Sequence, residues 1–256
     1  MQDLRVTLVQ ANQVWEDKTA NFENYTRLLR EVNTDLIVLP EMFQTGFSMN
    51  TEALKERFTD SNSINWLKQM AKEKNAAIYT SLIIEDYGNV YNRGVFVYPN
   101  GEIKTYDKRK SFCLAGEDQF FTPGESETIL NYLGWNIQLQ ICYDLRFPEI
   151  VRNRILPNQK AAYDVILYVA NWPSKRAAHW NALLNARAIE NQCFVVGVNR
   201  VGEDEKKHQY SGDSKLVSPL GKEEKLSNDK EIIKTFVLET SVLEGIREML
   251  PFLKDR

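Results

Sequence analysis

The sequence has 256 residues, of which 43% are hydrophobic and 26% are charged, and its formal net charge of −3 gives no electrostatic footprint for nucleic acid. The densest basic run, residues 108–110, is too short to hold a polyanion, and no apolar stretch reaches the roughly 18 residues of a membrane helix. Because the first residues also lack the features of a signal peptide, we expect a cytoplasmic protein with no nucleic-acid or membrane partner.

Short β-rich apolar runs alternate with amphipathic segments along the chain. Several of the runs are apolar at most positions, which is typical of strands that are covered on both faces. In chain order, the predicted elements are strand 5–10, helix 18–32, strand 35–39, helix 62–75, strands 77–84, 91–98, 135–141 and 164–170, helix 176–192, and strands 193–199 and 215–217. We find no repeat and no low-complexity linker, so residues 1–256 are expected to form one α/β domain.

Two local patterns refine this prediction. The Asn100-Gly101 pair between two strand-like runs indicates a hairpin, so part of the sheet is expected to be antiparallel. In the predicted helix 176–192, apolar residues follow one stripe, and a charge pair is spaced i, i+3. The stripe consists of Trp180, Leu183, Leu184 and Ile189, and the charge pair is Arg187 and Glu190. Residues 206–230 are mostly polar and are expected to include loops.

Polar residues follow the predicted strands at the point where each strand ends. Glu41 comes shortly after strand 35–39, Cys142 directly after strand 135–141, Asn171 after strand 164–170, and Arg200 after strand 193–199. Ligands of open α/β sheets sit outside the carboxyl ends of the strands. The sequence therefore predicts that these residues converge on one site.

Taken singly, the reactive side chains have ordinary structural explanations. Cys142 is most simply a small buried hydrophobe, Glu41 a helix cap or ion-pair partner, and Lys108 a solvated lysine. Together they supply a nucleophile, a carboxylate that can take its proton, and a cation that can stabilise an oxyanion. The two histidines, His179 and His208, belong to no motif that supports a Cys-His pair. The residues alone leave both interpretations of Cys142 open.

Four segments in order resemble the signatures of the nitrilase superfamily. They are LPEMFQTGF, YDKRKSF, QICYDLRFPE and ANWPSKRAAHWNALLNARAIENQ. The resemblance covers nearly the whole chain and implies a Glu-Lys-Cys triad that hydrolyses carbon–nitrogen bonds through a cysteine thioester. It implies Glu41 as the general base, Lys108 as the oxyanion-stabilising lysine and Cys142 as the nucleophile, with Glu117 as the further glutamate after the lysine motif. The backbone N–H of Tyr143 would complete the oxyanion site.

The resemblance also implies a fold, an assembly and a substrate class. The fold is a four-layer α-β-β-α sandwich, usually paired as a homodimer, and the chemistry needs no cofactor or metal. Tyr168, Trp180 and residues 252–256 are candidates for the dimer interface or for packing within one subunit. The pattern looks closest to the bacterial omega-amidase branch, which acts on small amides such as 2-oxoglutaramate and 2-oxosuccinamate. Lys110 departs from the pattern, since many relatives have histidine there.

Several other residues are candidates for substrate binding. Phe43 and Trp172 are expected either to wall the pocket or to belong to the core. Lys175 and Arg176 are expected to meet a substrate carboxylate or to form a solvated helix end, and Asn171 to line the pocket or to cap a turn.

The residues after the nucleophile have a structural interpretation that we favour. We expect an ion-pair network that fixes the turn, rather than contact with the substrate, for Asp144, Arg146 and Glu149.

Three other functions compete with the omega-amidase hypothesis. Another carbon–nitrogen hydrolase, such as a carbamoylase or a nitrilase, would use the same triad. A non-catalytic binding protein on this fold would have no need of the four reactive residues together. A redox sensor would need a resolving cysteine for Cys142, and Cys113 is the one that its position favours; Cys193 is expected to be a packing thiol. With an odd number of cysteines, we expect free thiols.

Overall fold

The computed structural model describes residues 1–256 as two β-sheets, a small two-stranded sheet and six α-helices. The strands are β1 (Leu4–Gln10), β2 (Leu36–Val38), β3 (Glu56–Arg57), β4 (Ala77–Asp86), β5 (Asn89–Val97), β6 (Ile103–Asp107), β7 (Ile129–Tyr132), β8 (Trp135–Ile141), β9 (Val165–Ala170), β10 (Phe194–Asn199), β11 (Val201–Glu203), β12 (Gln209–Ser211), β13 (Lys215–Val217), β14 (Glu223–Lys225) and β15 (Ile232–Leu238). The helices are α1 (Lys18–Leu29), α2 (Thr51–Leu54), α3 (Asn62–Lys74), α4 (Glu117–Phe120), α5 (Ala177–Asn191) and α6 (Thr240–Met249). Short 3₁₀ turns include Cys142–Arg146 and Ser174–Arg176.

Each large sheet has three parallel strands at its centre. The first sheet runs in the order β15-β1-β2-β4-β5-β6, with β3 beside β4, and its strands β1, β2 and β4 are parallel. The second runs in the order β14-β13-β10-β9-β8-β7, and its strands β8, β9 and β10 are parallel. Antiparallel strands complete both edges. Both sheets therefore have an edge where the carboxyl ends of parallel strands meet, as ligand sites require.

The period of two along the strands of the first sheet divides its side chains between two cores. Leu36 and Val38 of β2 face the second sheet, whereas Ile37 between them packs with α1 and α3. On the second sheet, α5 packs closely over β10. The close packing requires Gly197, because a Cβ there would lie 2.6 Å from a methyl group of Leu184. The expected four-layer α-β-β-α sandwich is thus confirmed.

Most predicted elements lie where the sequence pattern indicated, and their ends differ by a few residues. The Asn100-Gly101 hairpin joins β5 and β6, with Gly101 at φ +86°, a backbone conformation that suits glycine. Helix α1 ends at Leu29, three residues earlier than predicted. The polar segment 206–230 holds the strands β12 and β14 besides the predicted β13.

The structure corrects one expectation about helix α5 and decides between the two alternatives for Tyr168 and Trp180. Ile189 is 53% exposed and does not share the buried stripe with Trp180 and Leu184, although the predicted pair Arg187–Glu190 forms at 2.9 Å. Trp180 and Tyr168 are fully buried within the subunit, so they are core residues and not interface residues. None of the helices combines the length and the apolar character that crossing a bilayer requires.

Candidate active site

Residues at the ends of strands from both sheets surround one buried ammonium group. Lys108 follows β6, and its Nζ lies 3.1 Å from Glu41 Oε1 and 2.8 Å and 2.9 Å from the two carboxylate oxygens of Glu117. Glu41 is fully buried, Glu117 is 1% exposed and Lys108 is 4% exposed. The structure thus brings together the base, the lysine and the further glutamate that the sequence motifs predicted.

The charge balance at Lys108 favours its ammonium form. Burial lowers the pKa of a lysine, but the carboxylates of Glu117 and Glu41 outweigh burial and hold the pKa of Lys108 above its ordinary value. A permanently charged ammonium is the donor that a developing oxyanion needs.

Four groups from different parts of the chain fix Glu41. Its carboxylate accepts hydrogen bonds from Lys108, from the side-chain amide of Asn92 at 2.8 Å, and from the backbone N–H of Asn171 at 2.8 Å. Its backbone carbonyl accepts from the side chains of Gln13 at 2.9 Å and Asn171 at 2.6 Å. Sequence reasoning missed Asn92, which lies within β5, and Gln13, which follows β1, because no local motif marks either of them.

Cys142 begins the 3₁₀ turn that directly follows β8, and its backbone lies in the left-handed region with φ +44°. A non-glycine residue in this region is strained, and such strain is often found at functional turns. The side chain is only 9% exposed. Burial, together with the negative charge of Glu41, raises the pKa of Cys142 well above its ordinary value, although Lys108 lowers it. The resting group is therefore a thiol, and it would need a base to act as a nucleophile.

The turn after Cys142 is held by hydrogen bonds and not by the expected ion-pair network. Asp144 accepts bonds from the Tyr106 hydroxyl at 2.9 Å and from the backbone N–H groups of Lys110 at 3.0 Å and Ile141 at 3.1 Å. Burial raises the pKa of Asp144 to about 7, against the opposing effects of Lys108 and these donors.

Arg146 and Glu149 also depart from the favoured interpretation. The guanidinium of Arg146 lies over the Trp172 ring at 4.7 Å and on the wall of a cavity, and Glu149 forms no ion pair with either neighbour. The favoured interpretation of these residues as a network was wrong.

A cavity of about 420 Å³ gives access to the reactive residues. Lys108, Cys142 and Tyr143 lie on one part of its wall, and Asn171 and Trp172 lie beside them. Its other lining side chains are mainly aromatic or charged, among them Phe47, Phe112, Arg146, Arg176 and His208. A partly apolar cavity with a few convergent polar groups is the usual form of a small-molecule site.

Two predicted cavity residues lie elsewhere. Phe43 is fully buried in the core, where its ring packs against those of Tyr25 at 5.2 Å and Trp66 at 5.2 Å. Of the two alternatives for Phe43, the structure thus supports the core, and Phe47 lies in the cavity wall instead. Lys175 is exposed and outside the cavity, whereas its neighbour Arg176 lines it.

The remaining reactive side chains are not bonded to the Cys142 thiol. His179 Nδ1 lies 3.2 Å from Arg146, and His208 Nδ1 lies 3.0 Å from Asp204. Cys113 is exposed and Cys193 is buried, and all three cysteines are free. No cluster of three or more His, Cys, Asp or Glu side chains has an arrangement that could hold a metal ion.

Comparison with known proteins identifies relatives over the whole chain. The carbon-nitrogen hydrolase family model matches residues 5–232. The omega-amidase YafV of Yersinia enterocolitica is 39% identical, over 100% of this chain and 97% of its own length. The 2-oxoglutaramate amidase of Bacillus subtilis is 32% identical, over 87% of this chain and 85% of its own. The crystal structure of XC1258 from Xanthomonas campestris, a CN-hydrolase superfamily protein with an arsenic adduct in its active site, has a TM-score of 0.97 at 36% identity and covers 100% of this chain and 98% of that one.

Proposed function

Because the chain belongs to the carbon-nitrogen hydrolase family, we propose that it is an omega-amidase that hydrolyses the terminal amide of small 2-oxo acids to a dicarboxylate and ammonia. The main observation in support of this proposal is that Cys142 lies in a cavity whose wall also includes Lys108. Lys108 is buried and forms ion pairs with Glu41 and Glu117. The names of the relatives support 2-oxoglutaramate as the first substrate to test.

In the first half of the reaction, Glu41 takes the proton of the Cys142 thiol while sulfur attacks the amide carbon. The raised pKa of the thiol makes this base necessary. The carbonyl oxygen becomes an oxyanion, and the Lys108 ammonium and the Tyr143 backbone N–H stabilise it. Glu41 then passes its proton to the nitrogen, the carbon–nitrogen bond breaks, and ammonia leaves a thioester on sulfur.

The second half of the reaction regenerates the thiol. Glu41 removes a proton from water, and the resulting hydroxide attacks the thioester carbon through the same oxyanion site. The carbon–sulfur bond breaks, the carboxylic acid leaves, and the sulfur recovers the proton from Glu41. Glu117 does not exchange protons in this scheme, because its contacts with Lys108 at 2.8 Å and with the Phe112 N–H at 2.6 Å give it an orienting role.

Two guanidinium groups on the cavity wall support a substrate that carries a carboxylate away from the amide. Arg146 lies over Trp172 and Arg176 lies over Phe112 at 5.2 Å, and neither forms an ion pair with an acidic side chain. Stacking on aromatic rings keeps a guanidinium in place while its N–H donors remain free for a planar carboxylate. Trp172 is itself fixed, because its indole N–H donates to the Arg176 carbonyl at 2.8 Å.

We also propose that residues 1–256 form one domain that assembles as a homodimer in the cytoplasm. Three free thiols suit a reducing compartment. Three exposed apolar side chains lie on neighbouring segments, namely Ile189, Met249 and Phe252. The side chain of Gln192 joins these segments by hydrogen bonds to the backbone of Leu250 and Leu253. An exposed apolar surface of this kind suits a subunit contact.

The test is ammonia release from 2-oxoglutaramate, 2-oxosuccinamate, glutamine, asparagine, a carbamoyl amine and a simple nitrile, with the Cys142→Ala variant beside the wild type. We expect the wild type to release ammonia from the 2-oxo amides, and Cys142→Ala to release none. Release only from another member of the panel would replace the substrate, and release that survives in Cys142→Ala would overturn the assignment of the nucleophile.

A further inference from the structure

The side chain of Asn92, in the middle of β5, lies between the two buried carboxylates of the site. Its Nδ2 donates to Glu41 Oε1 at 2.8 Å and to Glu117 Oε1 at 3.2 Å, and the residue is 1% exposed. Its backbone carbonyl accepts a bond from the Lys108 N–H at 3.0 Å. One residue thus contacts the base, the further glutamate and the segment that carries the lysine.

The orientation of the Asn92 amide is set by the two carboxylates, since an ionised carboxylate only accepts hydrogen bonds. With both Nδ2 contacts made, the Oδ1 atom is buried and has no partner. The amide thus directs both of its donor contacts to carboxylates and leaves its acceptor without a partner in the protein. The evident benefit of this arrangement is the pair of donors that reach Glu41 and Glu117.

The site has more acidic than basic groups, so the carboxylates need the hydrogen-bond donors of Asn92 in addition to Lys108. Lys108 supplies one positive charge between two carboxylates. Two neighbouring carboxylates repel each other, so each of them needs hydrogen-bond donors that stabilise its charge. The ionisable groups that face Glu41 are Lys108, Glu117, the Cys142 thiol and the Tyr79 hydroxyl.

We propose that Asn92 is a positioning residue, whose two donor contacts stabilise the carboxylates of Glu41 and Glu117 and orient Glu41 to accept the thiol proton. This inference rests on the proposed role of Glu41 as the base. Without the Asn92 amide, Lys108 alone balances the two carboxylates, so the loss of activity is expected to be largest at acidic pH, where protons compete for the base. A residue that only supported the fold would lower activity equally at every pH.

The experiment is the pH dependence of kcat/KM for wild type, Asn92→Leu, which keeps the approximate size but has no donor, and Asn92→Ser, which offers one donor. Asn89→Leu, on the exposed start of the same strand, is the matched control. Asn92→Leu is expected to lose about 10- to 100-fold in kcat/KM at acidic pH and less at alkaline pH. Asn92→Ser is expected to lie between Asn92→Leu and wild type, and Asn89→Leu to match wild type.

A second readout separates this inference from the choice of substrate. The rate at which iodoacetamide alkylates Cys142 also depends on removal of the thiol proton, and peptide mapping follows it without any amide substrate. A shift of the alkylation profile in Asn92→Leu, with an unchanged thermal unfolding midpoint, would support the positioning role even if no amide of the panel is hydrolysed. Equal losses at all pH values, or profiles identical to wild type by both readouts, would overturn it.

Discussion

The backbone N–H of Asn171 donates a 2.8 Å hydrogen bond to Glu41 Oε2 and thereby joins the two sheets at the active site. Glu41 follows β2 of the first sheet, and Asn171 follows β9 of the second. The Asn171 side chain strengthens this connection through its bond to the Glu41 carbonyl. Because both sheets fix Glu41, the packing between them sets the position of its carboxylate relative to Cys142.

Replacement of Lys108 by methionine is expected to reduce kcat by at least about 10²- to 10³-fold, because the variant loses one oxyanion donor. It should also lose about 3–5 kcal/mol of unfolding free energy, since Glu41 and Glu117 would lose their buried cation. Single-turnover kinetics and urea denaturation measure the two effects. Lys104→Met, on an exposed position of β6, should match wild type in both. Retention of near-normal kcat by a folded Lys108→Met enzyme would contradict the proposed role.

Arg176 and Lys175 form a natural pair for testing carboxylate recognition. Arg176→Gln should raise KM for 2-oxoglutaramate about tenfold or more, because a charge-assisted hydrogen bond contributes about 1.5–3 kcal/mol. Lys175→Gln removes the same charge from the next position, but its side chain lies outside the cavity, so KM should not change. Initial-rate kinetics at fixed ionic strength compare them. Equal increases in both variants would indicate a long-range charge effect and contradict a direct contact.

The burial of Asp144 predicts an unusual dependence of stability on pH. An unfolded aspartate titrates near 3.8, whereas the pKa of folded Asp144 is about 7. Between these values the folded protein holds a proton that the unfolded chain has released, so this residue makes the free energy of unfolding fall as pH rises. The expected slope is roughly 1.4 kcal/mol for each pH unit within that window. It is measured as the difference between the urea-denaturation curves of wild type and Asp144→Asn. Parallel stability profiles of the two proteins would contradict the raised pKa.

Alternation was enough to predict the main strands, whereas the resemblance of four motifs to a known family was needed to assign the four reactive residues. The period of two in β2 and β4 determines which side chains face the other sheet, and it is a local property of the sequence. Glu41 and Cys142 were found because each directly follows a strand that the pattern defines.

The structure was needed to decide whether Phe43 lines the cavity or belongs to the core, because it follows the strand in a segment with no period. Met42 has a positive φ of 46°, which turns the chain so that Phe43 enters the core beside α1 and α3. Local sequence patterns could not predict the role of Asn92 either. Its partners lie 51 and 25 residues away, and only the folded sheet brings them together.

Cys113→Ser distinguishes an amidase from a redox sensor. Cys113 is exposed and contacts the Ser111 carbonyl, and no step of the proposed chemistry uses it. Ammonia release should therefore remain unchanged in the variant. Peroxide treatment followed by non-reducing peptide mapping provides the control. A Cys113–Cys142 disulfide in the wild type, together with loss of regulation in the variant, would favour the sensor.

A covalent thioester on Cys142 is the most direct test of the proposed chemistry. Wild type is mixed with excess 2-oxoglutaramate, quenched with acid within the first turnovers, and measured as an intact protein and as peptides by mass spectrometry. The expected result is a transient mass increase equal to the acyl group, located on the peptide that contains Cys142 and missing in Cys142→Ala. An adduct on Cys113 or Cys193, or ammonia release by Cys142→Ala at the wild-type rate, would contradict Cys142 as the nucleophile.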